Sequence, residues 1–282
     1  MEVTRLLIGD NTFDVWNINL LSSQTTPPVF FMTADTDLRV TLYGPLDELP
    51  SNQKNKLVPR IASLKMVTGV NLNEIQVEDL SRLTCLEIRP GRHAKNLELL
   101  LRQNFQSMQE MALDLGVGQF KIFTKLTCNF NKLTKLKLSF GCSRRDIAQK
   151  YEDDWFGFVC LVNNCPNLQD LGVFNIQANE VLIAKHPLKK HDKVQKLSLV
   201  IDRSKFETAG YFHIINTFKD SVQHLRVGIH SVMEEFWSSE WFLPHVTKVD
   251  LKHEWYPYSD RSLESVKPHF PENVDINTRI RF

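Results

Sequence analysis

Three short stretches of the chain contain residue types that could carry out chemistry. The Gly-x-Gly of GVGQF, beginning at Gly116, lacks the third glycine of a phosphate-binding loop, so a turn is the simpler interpretation. His253 in HEW has no second histidine at the spacing of a zinc-protease helix. The carboxylates of YEDD, residues 151–154, precede an apolar helical pattern, where acidic residues stabilise a helix N-terminus. We therefore predict a protein that is not an enzyme.

The cysteines also favour a protein without a bound metal. They are Cys85, Cys128, Cys142, Cys160 and Cys165, an odd number without a CxxC pair. Neither a disulfide framework nor a zinc site fits this pattern. We expect reduced thiols, no metal and no cofactor, and hence a reducing compartment, the cytoplasm or alternatively the nucleus.

The composition is that of a globular protein with a full-sized core. Of the 282 residues, 42% are hydrophobic and 24% are charged, and the formal net charge is +1. A nearly neutral chain creates no global field that would attract nucleic acid or an anionic membrane. No apolar run approaches the roughly 18–20 residues that span a bilayer. We expect no membrane association, and nucleic acid is a disfavoured partner.

A strand-like motif, apolar-x-x-apolar-x-apolar, recurs along the chain. Clear copies are VQKLSL at Val194, VQHLRV at Val222 and VTKVDL at Val246. The second apolar residue of each copy serves as its marker. The ten markers are Leu6, Leu38, Leu64, Leu86, Met111, Leu136, Leu171, Leu197, Leu225 and Val249, with a mean spacing of about 27 residues. A period of about 20–29 residues with this pattern is typical of leucine-rich repeats.

The motif and the segments between its copies define a stacking unit. The last two apolar residues lie two apart and so share one face of a strand, whereas the intervening segments have helical spacing. Neither element buries its apolar side alone, so stacking must create the core. We predict an α/β leucine-rich-repeat solenoid, a horseshoe of about ten irregular β-α repeats with a concave parallel sheet. It forms a single domain over residues 1–282, with atypical repeats at 1–60 and a capping segment at 262–282.

Several repeats resemble those of F-box/LRR proteins. NNCPNLQDLGV (163–173) is close to the C-P-N-L-x-x-L opening of that family, and NKLTKLKL and LSRLTCLEI are looser versions. The resemblance implies an arc that captures a target protein for a ubiquitin ligase. An F-box, which would bind a Skp adaptor, is not recognised, because Pro59 interrupts the helix expected after the Leu-Pro pair of LDELP. We expect adaptor binding only if an F-box is supplied elsewhere.

Charged residues beside the apolar motif positions should point into the arc. In the N-terminal half the positive and negative charges at these positions balance. In the C-terminal half the cations Lys135, Lys137, Lys196, Arg226, Lys248 and Lys252 face only Asp170 and Asp250, and His224, Phe174 and Val200 lie beside them. We expect these cations to face solvent and to bind a protein partner that is acidic or phosphorylated. The alternative is that they are solvated lysines without a binding role.

Two loops are further candidates for binding. Residues 141–154 make the longest gap between repeats, and insertions in solenoids fall on loops. HEWYPYSD (253–260) contains Trp255 and Tyr256, and aromatic residues of this kind dominate interface hot spots. The alternative for these aromatic residues is that they cap the core.

These observations predict a non-catalytic protein–protein interaction module, similar to the target-recognition arcs of F-box/LRR proteins. One alternative is a free-standing binder or inhibitor with no link to ubiquitin. Another is a receptor for a small anionic ligand, such as an inositol phosphate, in the basic half of the arc.

Overall fold

The computed structural model describes residues 2–8, 11–18, 38–42, 61–66, 80–88, 95–141, 148–201, 209–229, 234–238, 240–253 and 264–278. They belong to two compact units, Met1–Leu115 and Gly116–Phe282. Among the helices in these ranges, none combines the length and hydropathy that crossing a bilayer requires. The single domain, its atypical N-terminal repeats at 1–60 and its capping segment at 262–282 stay predictions.

Within its described residues, the first unit contains six strands and one helix. They are β1 (Glu2–Ile8), β2 (Asn11–Ile18), β3 (Leu38–Leu42), β4 (Ile61–Met66), β5 (Cys85–Ile88), α1 (Lys95–Asn104) and β6 (Glu110–Leu115). From β2 to β6 each strand pairs in parallel with the next one along the chain. Leu64, Leu86 and Met111 are register partners, as their repeat positions predict.

The first two markers depart from the predicted pattern. β1 and β2 are antiparallel, and Leu6 lies opposite Phe13. Only two residues separate these strands, too few for the crossover that a parallel pair needs, so the first motif belongs to a hairpin. In β3 it is Val40, two residues after the marker Leu38, that lies opposite Leu64.

The second unit repeats strands and helices in alternation. Its elements are a 3-10 helix (Phe120–Lys125), β7 (Lys135–Phe140), α2 (Ala148–Asn163), β8 (Asp170–Phe174), α3 (Glu180–Lys185), β9 (Lys196–Ile201), α4 (Ala209–Phe218), β10 (His224–Ile229), α5 (Glu234–Ser238), β11 (Lys248–His253), a second 3-10 helix (Lys267–His269) and β12 (Asp275–Asn277). Every strand pairs in parallel with the next. The predicted class, an α/β leucine-rich-repeat solenoid, is confirmed.

One column of buried side chains runs through this unit. The markers Leu136, Leu171, Leu197, Leu225 and Val249 are register partners across β7–β11, and each is fully buried. Burial of a Leu or Val side chain contributes about 1.5–3 kcal/mol. This column is therefore a stabilising feature that the five repeats share.

The same pair of backbone hydrogen bonds joins successive repeats. The carbonyl oxygen of Gln195 accepts from the amide nitrogens of Gln223, at 2.8 Å, and His224, at 3.0 Å. The carbonyl oxygen of Gln223 in turn accepts from Thr247, at 2.8 Å, and Lys248, at 3.2 Å. These bonds lie at the same motif position in each repeat, so they contribute to the register in which the strands pair.

The YEDD pattern suggested that its carboxylates stabilise the N-terminus of their own helix. The carboxylate of Asp154 does not do so. It lies inside α2, is buried, and accepts hydrogen bonds from the amide nitrogens of Gly118, at 2.8 Å, and Phe120, at 3.1 Å. Gly118 has a positive φ of 76°, which confirms the turn predicted for GVGQF. Asp154 therefore holds the turn and the first 3-10 helix against α2.

Gly157 permits this close packing. A Cβ atom at residue 157 would overlap the carbonyl oxygen of Phe120 and lie 2.5 Å from its carbonyl carbon. We expect Gly157→Ala to lower the free energy of unfolding by about 3 kcal/mol, because α2 and the backbone of the 3-10 helix must separate. Urea unfolding followed by circular dichroism measures the change.

Gly210→Ala is the matched control, since Gly210 is also buried in a helix. Its added Cβ would lie 3.2 Å from the Cβ of Ala178, a contact that a slight shift of the Ala178 backbone relieves. The gain in helix propensity, about 1 kcal/mol, offsets this crowding. Equal losses in the two variants would contradict the proposed packing of α2.

Candidate functional site

The side chains that alternate with the buried column form the opposite face of the second unit's sheet, which we call the open face. Parallel pairing arranges them in rows across the strands. The first row is Lys135, Asp170, Lys196, His224, Lys248 and Asp275; the second is Lys137, Gly172, Ser198, Arg226, Asp250 and Asn277. A third row contains Ser139, Phe174, Val200 and Gly228.

The open face brings together most of the predicted binding residues. Lys135 and Lys137 are exposed, and Phe174, Lys196, His224, Arg226 and Lys248 are partly buried. Lys252 lies in β11 opposite Gly228, but its side chain lies outside the described residues. Trp255 and Tyr256 lie outside them as well, as does most of the 253–260 segment. The other predicted loop, 141–154, is helical from Ala148 onward.

Asp250 organises the cations at one end of the open face. Its side chain is only 1% exposed. Its Oδ2 accepts from Arg226 Nε at 3.0 Å and lies 2.7 Å from His224 Nε2, and its Oδ1 is 3.9 Å from Lys248 Nζ. Three residues from two strands therefore share one carboxylate.

The pKa of Asp250 reflects two opposing effects. Burial acts to raise the pKa of this carboxyl, but the hydrogen bonds from Arg226 and His224, together with the charges of His224 and Lys248, outweigh it, so that the pKa is lowered from its ordinary value. Asp250 is therefore ionised at neutral pH. Because an ionised carboxylate only accepts hydrogen bonds, His224 donates through Nε2.

A second carboxylate pairs with another of the predicted cations. Asp170 Oδ2 lies 2.8 Å from Lys196 Nζ, in the adjacent strand. The expectation that the cations simply face solvent is thus wrong for Lys196 and Arg226, which are held by carboxylates of the same face. Charge reversal at either residue would place like charges beside a buried carboxylate and would not be a clean test of binding.

Each of these carboxylates keeps an unused acceptor. Asp170 Oδ1 and Asp250 Oδ1 are buried and make no hydrogen bond. Register also places Asp275 opposite Lys248, which adds a third carboxylate to the open face. The open face therefore carries six cations and three carboxylates, a formal surplus of three positive charges. Counting only Asp170 and Asp250 gave a surplus of four.

Two glycines, which sequence reasoning missed, let side chains lie close to the sheet. A Cβ atom at Gly172 would come within 3.1 Å of Phe174 Cε2 and 3.2 Å of Lys137 Cγ. A Cβ atom at Gly228 would come within 3.1 Å of Val200 Cγ2. Phe174 and the stem of Lys137 thus cover β8 and form an apolar plate with an ammonium group at its edge. Glycines facing outward from a strand were the signal that could have revealed this plate.

Comparison with known proteins adds a likeness in structure. No family model matches the chain, and no curated protein matches it. A leucine-rich repeat-containing protein, LegL7 from Legionella pneumophila, has a similar solved structure, with a TM-score of 0.47 and 17% sequence identity. The match covers 85% of this chain and 82% of LegL7.

The contacts of Asp250 predict its contribution to stability. We expect Asp250→Ala to lower the free energy of unfolding by about 2 kcal/mol, because Arg226 and His224 lose a charged acceptor. Asp275→Ala, an exposed aspartate of the same face, should change it by no more than about 0.5 kcal/mol. Urea titrations of both variants at pH 7 measure the difference; similar losses would show that Asp250 has no special role.

The lowered pKa of Asp250 predicts the pH dependence of this contribution. The unfolded chain binds the proton near pH 3.9, above the pH at which the folded protein binds it, so the contribution is complete above about pH 4. It is lost as the pH falls through the folded pKa. The gap in unfolding free energy between wild type and Asp250→Ala should therefore close on acidification. A gap that is constant from pH 6 to pH 3 would contradict the prediction.

Proposed function

We propose that this chain is a non-catalytic protein-interaction module whose open face binds an acidic or phosphorylated segment of a partner protein. The observation that carries the proposal is the apolar plate of Phe174 and the Lys137 stem, with Val200 opposite Phe174 in the next strand and cations at its border. Protein interfaces commonly combine an apolar centre with a polar rim. The plate supplies that centre, and the cations supply a rim complementary to negative charge.

The fixed cations favour binding because they are already positioned. Ordering a flexible side chain at an interface costs about 0.5–1.5 kcal/mol. Arg226 is held by Asp250, and Lys196 is held by Asp170, so much of this cost is met when the protein folds. The positioned groups then give electrostatic complementarity, which mainly accelerates association and selects the partner.

Lys137 is the cation best suited to contact a partner carboxylate or phosphate. It is exposed, and its stem packs beside Phe174 over Gly172. An apolar side chain of the partner on Phe174 would bring a neighbouring acidic group to the Lys137 ammonium. We therefore assign the central contact to these two residues.

A ubiquitin-ligase role is supported by the resemblance to F-box/LRR repeats. In that role the open face would hold the target and an adaptor would bind elsewhere. Calorimetric titration of the purified chain with a Skp adaptor tests this role separately, and we expect no binding at micromolar concentration. A measurable heat of binding would assign the ligase role directly.

The central contact can be tested with a double variant. The full chain, wild type or Lys137→Glu/Phe174→Asp, is immobilised and exposed to a cell lysate, and captured proteins are compared by quantitative mass spectrometry. For each protein that the wild type captures, we expect the double variant to capture at least about tenfold less, because one change removes an apolar contact and the other reverses a charge. Their capture should also fall as salt rises to physiological strength.

The matched control also replaces one apolar residue by Asp and one Lys by Glu, but away from the open face. Val181 is 74% exposed on α3, and Lys219 is exposed after α4. Val181→Asp/Lys219→Glu should capture the same proteins as the wild type. Capture that is equally reduced by both double variants, or unaffected by the first, would overturn the assignment. Stabilisation by an inositol phosphate alone, abolished by Lys137→Glu, would favour the small-ligand alternative.

A further inference from the structure

Two lysines of the open face lean over the strand that lies between them. Lys137, in β7, is opposite Gly172 in β8. Its Cγ is 3.2 Å and its Cβ is 3.6 Å from the position that a Cβ atom on Gly172 would take, so the stem runs toward β8. Lys196, in β9, reaches β8 from the other side, because its Nζ lies 2.8 Å from Asp170 Oδ2. Both ammonium groups are therefore directed to the same strand.

An aromatic ring lies at the same place. Phe174 Cε2 is 3.1 Å from the position of a Cβ atom on Gly172, on the face of the sheet that the Lys137 stem also covers. Phe174 is partly exposed and Lys137 is exposed. A ligand above β8 can therefore contact the ring and the Lys137 ammonium at the same time.

The charges around β8 leave a positive surplus on the open face. Lys135, Lys137 and Lys196 carry three ammonium groups against the carboxylate of Asp170, a formal surplus of two positive charges. A phosphate monoester carries about −1.5 to −2 at neutral pH, whereas a carboxylate carries a single negative charge. Phosphate therefore matches this surplus more closely than a carboxylate does.

Lys196 can bind an anion without leaving Asp170. An ammonium group has three N–H donors, and one of them is directed at Asp170 Oδ2. The Lys196 side chain is 33% exposed, so its ammonium is also accessible from the open face. Lys137 and Lys196 can therefore donate to different oxygens of one phosphate, in charge-assisted hydrogen bonds.

On the basis of the proposed function, we infer that the partner residue bound over β8 is a phosphotyrosine. Its ring packs on Phe174, and its phosphate accepts hydrogen bonds from Lys137 and Lys196. One side chain then makes both contacts, whereas an apolar residue beside a separate aspartate or glutamate requires two side chains to be ordered. Contact between aromatic rings adds to the gain from burial alone. A phosphoserine brings the same charge but leaves the Phe174 ring without a partner.

Small ligands test the charge and the ring separately. Phenyl phosphate, phenyl sulfate and inorganic phosphate are titrated into the ¹⁵N-labelled full chain at pH 7, and the shifts of the β7–β9 amide resonances give the dissociation constants. Phenyl sulfate has the shape of phenyl phosphate but a single negative charge, and inorganic phosphate lacks the ring. We expect phenyl phosphate to bind about fivefold more tightly than phenyl sulfate. It should bind about tenfold more tightly than inorganic phosphate.

These titrations need only the wild-type protein. Absence of phenyl phosphate binding would overturn the inference. So would an affinity for phenyl sulfate or inorganic phosphate equal to that for phenyl phosphate.

Single variants assign the contacts to residues. Lys137→Met keeps an apolar stem over Gly172 but removes the ammonium, and should weaken phenyl phosphate binding about fivefold. Phe174→Leu removes the ring but keeps an apolar side chain, and should lower the affinity for phenyl phosphate toward that for inorganic phosphate. Lys196 is left unchanged, because its loss would also leave Asp170 unpaired.

Lys219→Met is the matched control for the charge. Lys219 is exposed and lies outside the open face, so this variant should bind phenyl phosphate as the wild type does. Equal weakening by Lys137→Met and Lys219→Met would mean that the phosphate responds only to net charge, and would overturn the site over β8.

Peptide pools test whether the ligand is a residue of a protein. Pools of degenerate peptides that differ only at the central residue, which is phosphotyrosine, tyrosine, phosphoserine or glutamate, are passed over the immobilised full chain. We expect the wild type to retain the phosphotyrosine pool most strongly and Lys137→Met/Phe174→Leu to lose that retention. Equal retention of the phosphoserine or glutamate pool through these residues would overturn the inference and leave the proposed function standing. Binding of the phosphotyrosine pool by a chain that captures no partner protein through the open face would contradict the proposed function alone.

Discussion

The column of apolar side chains that begins each repeat is the constraint on which the rest of the second unit depends. Leu136, Leu171, Leu197, Leu225 and Val249 are fully buried register partners. Because strand side chains alternate, fixing these residues inside fixes their neighbours on the open face. A slip of one residue in any strand would exchange core for surface, at the cost of burying lysine or aspartate. The pattern of residues on the open face is thus determined by the core beneath it.

The open face balances two requirements of a charged surface. Cations that attract an acidic partner repel one another, and a carboxylate placed among them relieves that repulsion. Asp250 is costly to bury, yet the hydrogen bonds from Arg226 and His224 keep it ionised. The result is a surface whose positive groups are fixed in position, with Lys137 left exposed beside the apolar plate. In the proposed function, selectivity would depend on whether a partner can match this fixed pattern of charge.

Much of the fold could be predicted from the sequence, because each copy of the repeat motif places apolar residues at the same buried positions. The markers from Leu64 to Met111 and from Leu136 to Val249 are register partners within each unit. The β1–β2 hairpin was missed because an antiparallel strand has the same alternation as a parallel one. Most residues of the candidate site were predicted, but the hydrogen bonds and ion pairs among them were not. Asp250 accepts a hydrogen bond from Arg226, which lies 24 positions away, and no sequence pattern marks that pairing.

The sequential order of strands in the second unit also has a mechanical consequence. Each strand is hydrogen-bonded only to its neighbours in the chain, and successive markers from Leu136 to Val249 are 24 to 35 residues apart. Tension applied from the C-terminus therefore loads one strand interface at a time, as in peeling, and does not shear many bonds together. Extension would proceed in steps of one repeat, each releasing a length set by its own spacing. Under load the unit would unfold one repeat at a time, and the released repeats would refold onto the part that remains folded.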